Sequence, residues 1–339
     1  METDVYHTIP EKRNGFEPMR LGGYTRGIVS PNVFTFLRRG AAQVRQLGLR
    51  LIWLRYVRRR AILRTAPLPC PEDAAREVHT QICARDGLNV FWTLKSFAFH
   101  TGGEPFRLII FCDGSITPEF AALVRQHFPG ALVQPVAELP GSTRTLLAED
   151  CPTLWKMRAD PRFITLPKIT DSYSLRRRDV VLMIDPDVLF FAPPAELLAD
   201  PDSSRTYYGI YNVPPQPSDL PSTYCLDHQV FESRFGLQLP RRFNAGLGSV
   251  NYRLFDWSLL EEVANKVPFN PELGLMTDQT LAGITCAAHG LRELPVERYA
   301  LQPVQSLSGV VARHYFSKTR DLLYTEGLPQ LIRQGLLKR

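Results

Sequence analysis

Between Met19 and Pro71 the chain has no aspartate and no glutamate, and the eleven basic residues of that stretch are all arginines. Residues 1–70 carry a formal charge of +9, whereas the remainder of the 339-residue chain carries −3. The positive charge is therefore unevenly placed, concentrated at this end of the chain. Cysteine is sparse and scattered: Cys70, Cys83, Cys112, Cys151, Cys225 and Cys286, with no C-x-x-C. That spacing excludes a disulfide framework or a zinc site and suits a reducing compartment. No stretch approaches the roughly 18 uninterrupted apolar residues of a membrane-spanning helix. The opening METDVYHTIPEKRNGF is polar and acidic, without the apolar centre of a secretory signal. A cytoplasmic location is therefore expected. Internal repeats and low-complexity tracts are also missing.

What remains is ample for folding, since 44% of the residues are hydrophobic. Two zones are expected: a basic extension over residues 1–70, irregular and then helical, and a larger domain over 71–339. Residues 1–32 hold the Gly- and Pro-bearing segments RLGGYTRG and IVSPN. Within 33–65, Leu37, Ala41, Val44, Gly48, Leu51 and Leu54 follow helical spacing, which predicts one or two basic helices. TAPLPCPEDA then breaks the chain.

From Glu77 the pattern alternates. EVHTQIC reads as a strand, LNVFWTLKSFAFH as a helix, and FRLIIFC as a buried strand. ITPEFAALVRQHF reads as a helix capped by Thr117 with Pro118 in its first turn, and ALVQPVAEL as a further strand. This alternation predicts an α/β fold with a mostly parallel sheet flanked by helices. Ligands of such sheets bind beyond the carboxyl ends of the strands. After residue 192 the loops lengthen and become proline-rich. NAGLGSVNY and GVVARHYF read as strands, and LFDWSLLEEVANKV and TDQTLAGITCAAH as helices.

The most informative segment is DVVLMIDPDVLFF, residues 179–191. An apolar strand ends on Asp185 and Asp187, and a second apolar run follows. In extended chain these side chains point the same way, about 6–7 Å apart. Two like charges aimed at one place repel unless a cation lies between them, and a hard divalent metal prefers such oxygen ligands. The bland alternative is turn chemistry, for which D-P-D is well suited. Asp113, at the end of FRLIIFC, is expected on the same rim.

Four further pieces each have a bland reading. Phe243-Asn244-Ala245-Gly246 opens a strand where small residues let a ligand approach the backbone, or forms a turn. Asp278 and Gln279 begin a helix after Thr277, an expected N-cap. His314, at a strand end, is structural or completes a metal shell. Lys168 is a solvated charge or neutralises a phosphate.

In this order, these pieces resemble the GT-A-fold glycosyltransferases of the glycogenin-like and bacterial galactosyltransferase-like group, family 8-like. The resemblance spans residues 77–320. It implies a GT-A, Rossmann-like fold and transfer of a sugar from a nucleotide-diphospho-sugar, a UDP-sugar first, to a glycan, lipid or protein acceptor. It further implies Mn²⁺, or Mg²⁺, held by Asp185, Asp187 and His314, with Asp185 also near the donor ribose. Asn244, Gly246, Asp278 and Gln279 would lie at the transferring sugar, and Lys168 at the donor, with Asp113 a further donor-binding candidate. Lys318 or Arg320 would meet the departing phosphates, although HYFSKTR lacks the group's glycine and its basic residues fall four and six positions after His314. Retention at the anomeric carbon is likewise implied.

The arginine-rich residues 33–64 read as a scaffold helix with snorkelling side chains, or as a helix lying on anionic lipid at the inner membrane face. Nucleic acid is not expected as a partner, since no recognition module surrounds the arginines. Two other readings of the whole chain are a nucleotidyltransferase on a related fold and a non-enzymatic membrane-surface protein with a decayed site.

Overall fold

A computed structural model describes residues 48–339 except 136, 139–140, 200–205, 211–222, 242, 302, 317–318 and 339. The expected irregular start, most of the basic helix and Lys318 fall outside the described residues. Residues 48–56 form a helix, α1, followed by a 3₁₀ turn over Arg58–Arg64.

The alternation then appears as expected. Strand β1 is Arg76–Ile82, α2 is Gly87–His100, β2 is Phe106–Cys112, α3 is Pro118–His127 and β3 is Leu132–Pro135. Thr117 caps α3, its hydroxyl accepting the Phe120 N–H at 3.3 Å, with Pro118 at the first helical position. β3 is shorter than ALVQPVAEL suggested: Glu138 N–H bonds back to Pro135 O, turning the chain away from the sheet.

After α4 (Gly141–Asp150), α5 (Pro152–Ala159) and α6 (Pro167–Leu175) come β4 (Val180–Ile184), β5 (Val188–Phe190), β6 (Thr206–Ile210) and β7 (Phe243–Asn251). β8 (Leu291–Glu293), β9 (Tyr299–Ala300) and β10 (Ala312–His314) complete the strands. The main sheet has the order β3-β2-β1-β4-β7-β6-β8 and is mostly parallel, with β7 running antiparallel to β4 and β6. A small second sheet joins β5, β10 and β9, and β10 keeps only the centre of the expected GVVARHYF strand.

β4 explains why its sequence is apolar throughout. Leu182 and Ile184 join one core with α2, while Val181 and Met183 join another with α6 and the helix Thr277–His289. A strand covered on both faces reads as a continuous hydrophobic run rather than an alternation.

A buried ionic chain registers these layers. Tyr252 O–H donates to Ser172 Oγ at 2.7 Å, Ser172 to His79 Nδ1 at 2.5 Å, and His79 Nε2–H to Glu77 Oε1 at 2.8 Å. Arg107 on β2 also donates to Glu77 Oε1. Glu77 Oε2 accepts the backbone N–H groups of Arg177 and Arg178, at 2.9 and 3.0 Å, just before β4. Burial alone would raise the Glu77 carboxyl, but the His79 bond, those backbone donors and Arg107 outweigh it, and its pKa lies below the ordinary value. Burial likewise depresses His79.

The sign is the same for both groups. Each depressed pKa contributes stability that is present above its unfolded value and lost on acidification. Glu77→Gln is expected to cost roughly 3–5 kcal/mol at neutral pH, and the gap to wild type should begin to narrow near about pH 4 and close further below it. Urea denaturation at both pH values measures this; a constant gap would exclude Glu77 as a titrating contributor.

Candidate metal and donor site

Asp185 and Asp187 lie in a turn between β4 and β5, not in extended chain as expected. Val188 N–H donates to Asp185 O at 3.1 Å, closing the turn around Pro186. The physical reason is that the chain leaves the main sheet here and enters the small one. Thr93 of α2 holds the turn by donating to Pro186 O at 2.8 Å, and Ser96 Oγ accepts the Phe190 N–H at 3.1 Å. Turn chemistry and a converging carboxylate pair are thus both present.

β10 pairs with β5 antiparallel, setting His314 opposite Val188, and Tyr315 N–H bonds to Asp187 O at 2.9 Å. One ligand atom from each of Asp185, Asp187 and His314 lies within 4.8 Å of the other two. His314 Nε2 is 2.9 Å from Asp187 Oδ1 and 3.7 Å from Asp185 Oδ2. The opposite oxygens are already engaged. Lys168 Nζ donates to Asp185 Oδ1 at 2.6 Å and Arg320 Nη2 to Asp187 Oδ2 at 3.0 Å. Each carboxylate therefore gives one oxygen to a resident cation and turns the other toward the imidazole.

The tautomer of His314 follows from its neighbours. Asn244 Oδ1 accepts the Gly246 N–H at 3.0 Å, so that atom is an oxygen. The same oxygen is 3.0 Å from His314 Nδ1, which must therefore be the protonated nitrogen. Nε2 is left facing two carboxylates, an arrangement satisfied by a second proton or by a metal ion. Gly246 sits opposite: a Cβ there would meet His314 Cε1 at 2.2 Å and Asp185 Oδ2 at 2.8 Å. Only glycine leaves room for this approach, and Gly246 O accepts the Asp185 N–H at 2.7 Å.

Charge points the same way. Asp86, Asp187 and Asp278 are buried and Asp185 is half-buried, and the cations touching them are Lys168, Arg320 and, from the exposed side of Asp86, Arg85. Four carboxylates against three cations leave the cluster net negative, and its unpaired oxygens are those that Asp185 and Asp187 turn toward His314, where a divalent cation would be attracted. Two carboxylates and an imidazole are a suitable donor set for Mn²⁺ or Mg²⁺, so the residues present fit the metal.

Burial opposes the Lys168 charge, but Asp185 at 2.6 Å and Asp278 at 2.8 Å outweigh it and hold the ammonium above the usual lysine range. Asp185 is pushed up by burial and by Asp187 against the pull of Lys168 and His314. For Asp187 burial is outweighed by His314 and Arg320, which hold it down.

The other expected residues divide. Gln279 is close by, its Oε1 accepting the Ala245 N–H at 3.1 Å and its Nε2 donating to Thr223 O at 2.7 Å. Thr277 is not an N-cap. A 3₁₀ turn over Pro271–Met276 runs straight into the helix Thr277–His289, and Thr277 Oγ1 donates to Gly274 O at 2.6 Å. Asp113 makes its own turn, accepting from Ser115 N at 2.9 Å and from Ser115 Oγ at 2.5 Å. Asp86, which precedes α2, was missed. It forgoes capping the helix and instead receives Arg320 Nη1 at 3.1 Å. A carboxylate at a strand-to-helix junction was the available signal, but its partner lies 234 positions away.

No family model and no curated protein matches this chain. Among solved structures it is similar to the apo WbbM bifunctional glycosyltransferase, with 12% identity over 79% of this chain and a TM-score of 0.46. The chain spans about half of WbbM, 52% of its length. Apo mouse xyloside xylosyltransferase 1 is 13% identical over 72% of this chain and 98% of its own, with a TM-score of 0.48. The galactosyltransferase LgtC, in complex with donor and acceptor sugar analogues, is 12% identical over 75% of this chain and 95% of its own, with a TM-score of 0.43. At these identities the likeness concerns the fold alone.

Replacing Asn244 with alanine frees the imidazole to turn. The expected result is a 10–100-fold (roughly) weaker Mn²⁺ affinity with the fold retained, measured by electron paramagnetic resonance of the free ion. Unchanged affinity would show that Asn244 does not orient a ligand.

Proposed function

We propose that this chain is a metal-dependent glycosyltransferase of GT-A type that uses a nucleotide-diphospho-sugar, a UDP-sugar first, and retains the anomeric configuration. The observation that carries the reading is the convergence of Asp185 Oδ2, Asp187 Oδ1 and His314 Nε2, with Lys168 and Arg320 neutralising the far sides of the two carboxylates. The ordered pieces IDPDVLFF, FNAG, DQ and the late histidine support the sugar-transfer assignment over other metal chemistry.

In glycosyl transfer the bond from C1 to the diphosphate breaks, and negative charge collects on the leaving group. A bound Mn²⁺ or Mg²⁺ supplies Lewis-acid stabilisation of that charge. Asp185, Asp187 and His314 would hold it. Arg320, held between Asp86 and Asp187, would meet the departing phosphates. Lys168 stays protonated and holds Asp185 and Asp278 in a fixed relation. The sugar gains oxocarbenium character, and the carboxylate of Asp278 or the amide oxygen of Gln279 is suited to offset its positive charge. Gln279 Oε1 in turn positions the backbone of Ala245 beside Asn244 and Gly246.

An intact donor set, rather than one with a missing ligand, favours an enzyme over a binding protein with a decayed site. Asp187→Asn is expected to lower Mn²⁺-dependent hydrolysis or transfer of the UDP-sugar by at least about 10²–10³-fold. UDP should raise the melting temperature of the wild type only when Mn²⁺ is present. Retained turnover in a folded Asp187→Asn protein, or equal stabilisation by UDP with and without the metal, would overturn the assignment.

A further inference from the structure

On α1 and the residue that follows it, Leu49, Trp53 and Val57 are 73%, 49% and 57% exposed. They stand four residues apart, so they form one row along the helix. Val57 N–H still bonds to Trp53 O at 2.9 Å, which carries the helical path through the third member. The opposite side is spoken for. Leu54 is buried in the core and Leu51 packs against it. The segment is also fixed from below: Arg55 and Arg59 lie over the Tyr324 ring, and Arg59 donates to Asn89 Oδ1 at 3.3 Å. Trp92 Nε1–H donates to Arg59 O at 2.8 Å. The exposed row is therefore a rigid feature of the body.

Arginines lie within the row's stretch of sequence and just after it. Arg50, Arg60 and Arg64 are exposed, and Arg58 sits over the Trp53 ring with its guanidinium carbon 5.9 Å from the centroid. No acidic residue occurs anywhere from Met19 to Pro71 to neutralise them. An apolar row bearing a tryptophan, set among long cationic arms that can reach upward, matches the interface of an anionic bilayer, where the acyl boundary takes the row and the headgroups take the guanidinium groups. Phosphates of nucleic acid would satisfy the arginines and leave Leu49 and Val57 without a role.

We infer that α1 is a docking surface for an anionic lipid bilayer, with Leu49, Trp53 and Val57 entering the interface and Arg50, Arg58, Arg60 and Arg64 meeting lipid phosphates. A short run of contacts lies between this surface and the proposed site. Arg59 touches Asn89 in the first turn of α2, Asp86 precedes that helix, and Arg320 bridges Asp86 to Asp187. Docking itself does not depend on the transfer reading.

The test is flotation of the full chain with vesicles of equimolar phosphatidylglycerol and phosphatidylcholine, and with phosphatidylcholine alone. The wild type is expected to float with the anionic vesicles, less so at high salt, and to stay behind with the neutral ones. The triple change Leu49→Ala, Trp53→Ala, Val57→Ala, made on exposed positions, should lower partition by about tenfold or more. Bromine-labelled acyl chains should quench tryptophan fluorescence, and Trp53→Phe should remove that quenching. Asp187→Asn should float like the wild type, so failure of the transfer reading and failure of docking give different results. The inference is overturned if the wild type ignores anionic vesicles, if the triple variant floats equally well, or if duplex DNA or RNA competes the protein off the vesicles at equal phosphate.

Discussion

The structure depends on holding two carboxylates close together in a nearly buried turn. Asp185 and Asp187 repel, and burial raises the cost of each charge. The fold answers with a division of labour among their four oxygens. Lys168 from α6 takes one, Arg320 from the end of the chain takes another, and the remaining two are aimed at His314. Each cation is itself shared with a further acid, Asp278 or Asp86. The result is a lattice of alternating charge that is well fixed yet still negative, which is the condition for capturing a divalent ion without collapse in its absence.

Much of the scaffold around this lattice serves to aim it. α2 clamps the D-P-D turn through Thr93 and Ser96, and β7 supplies Gly246, whose missing side chain lets His314 and Asp185 approach. The buried chain from Tyr252 through Ser172 and His79 to Glu77 fixes the entry into β4, since Glu77 grips the backbone at Arg177 and Arg178. Ser172 lies on α6, the helix that also carries Lys168. One buried network thus positions both the strand that delivers the carboxylates and the helix that delivers their ammonium partner.

The strand and helix alternation from Arg76 to Pro135 was legible in the sequence because each element has a local signature: a doubly covered apolar run in β2, and a Thr-Pro start in α3. Asp185, Asp187 and His314 were legible because their residue types suit one chemistry and their order resembles a known arrangement. Their geometry was not. Extended chain and tight turn both bring the side chains of a D-P-D together, and only the departure of β5 into a second sheet decides for the turn. The ion pairs Lys168–Asp278 and Arg320–Asp86 span 110 and 234 positions, and no local pattern encodes such a meeting. Asp86 shows the difficulty well: at its junction the local expectation is a helix cap, and a distant guanidinium overrides it.

The same override gives Asn244 a different weight from the one its motif suggests. From the sequence it is an amide at the mouth of a strand, suited to a ligand hydroxyl. In the structure its oxygen is bound to the Gly246 N–H and to His314 Nδ1, so that end of the amide is committed to the imidazole. An oxygen that accepts from both cannot also accept strongly from a sugar without releasing one of them. If Asn244 serves the donor, it does so through its nitrogen or by holding His314 with Nε2 toward the carboxylates. The second role requires no new contact, and it explains why the amide lies beside a glycine: the backbone N–H that fixes its orientation belongs to the residue whose missing side chain admits the imidazole.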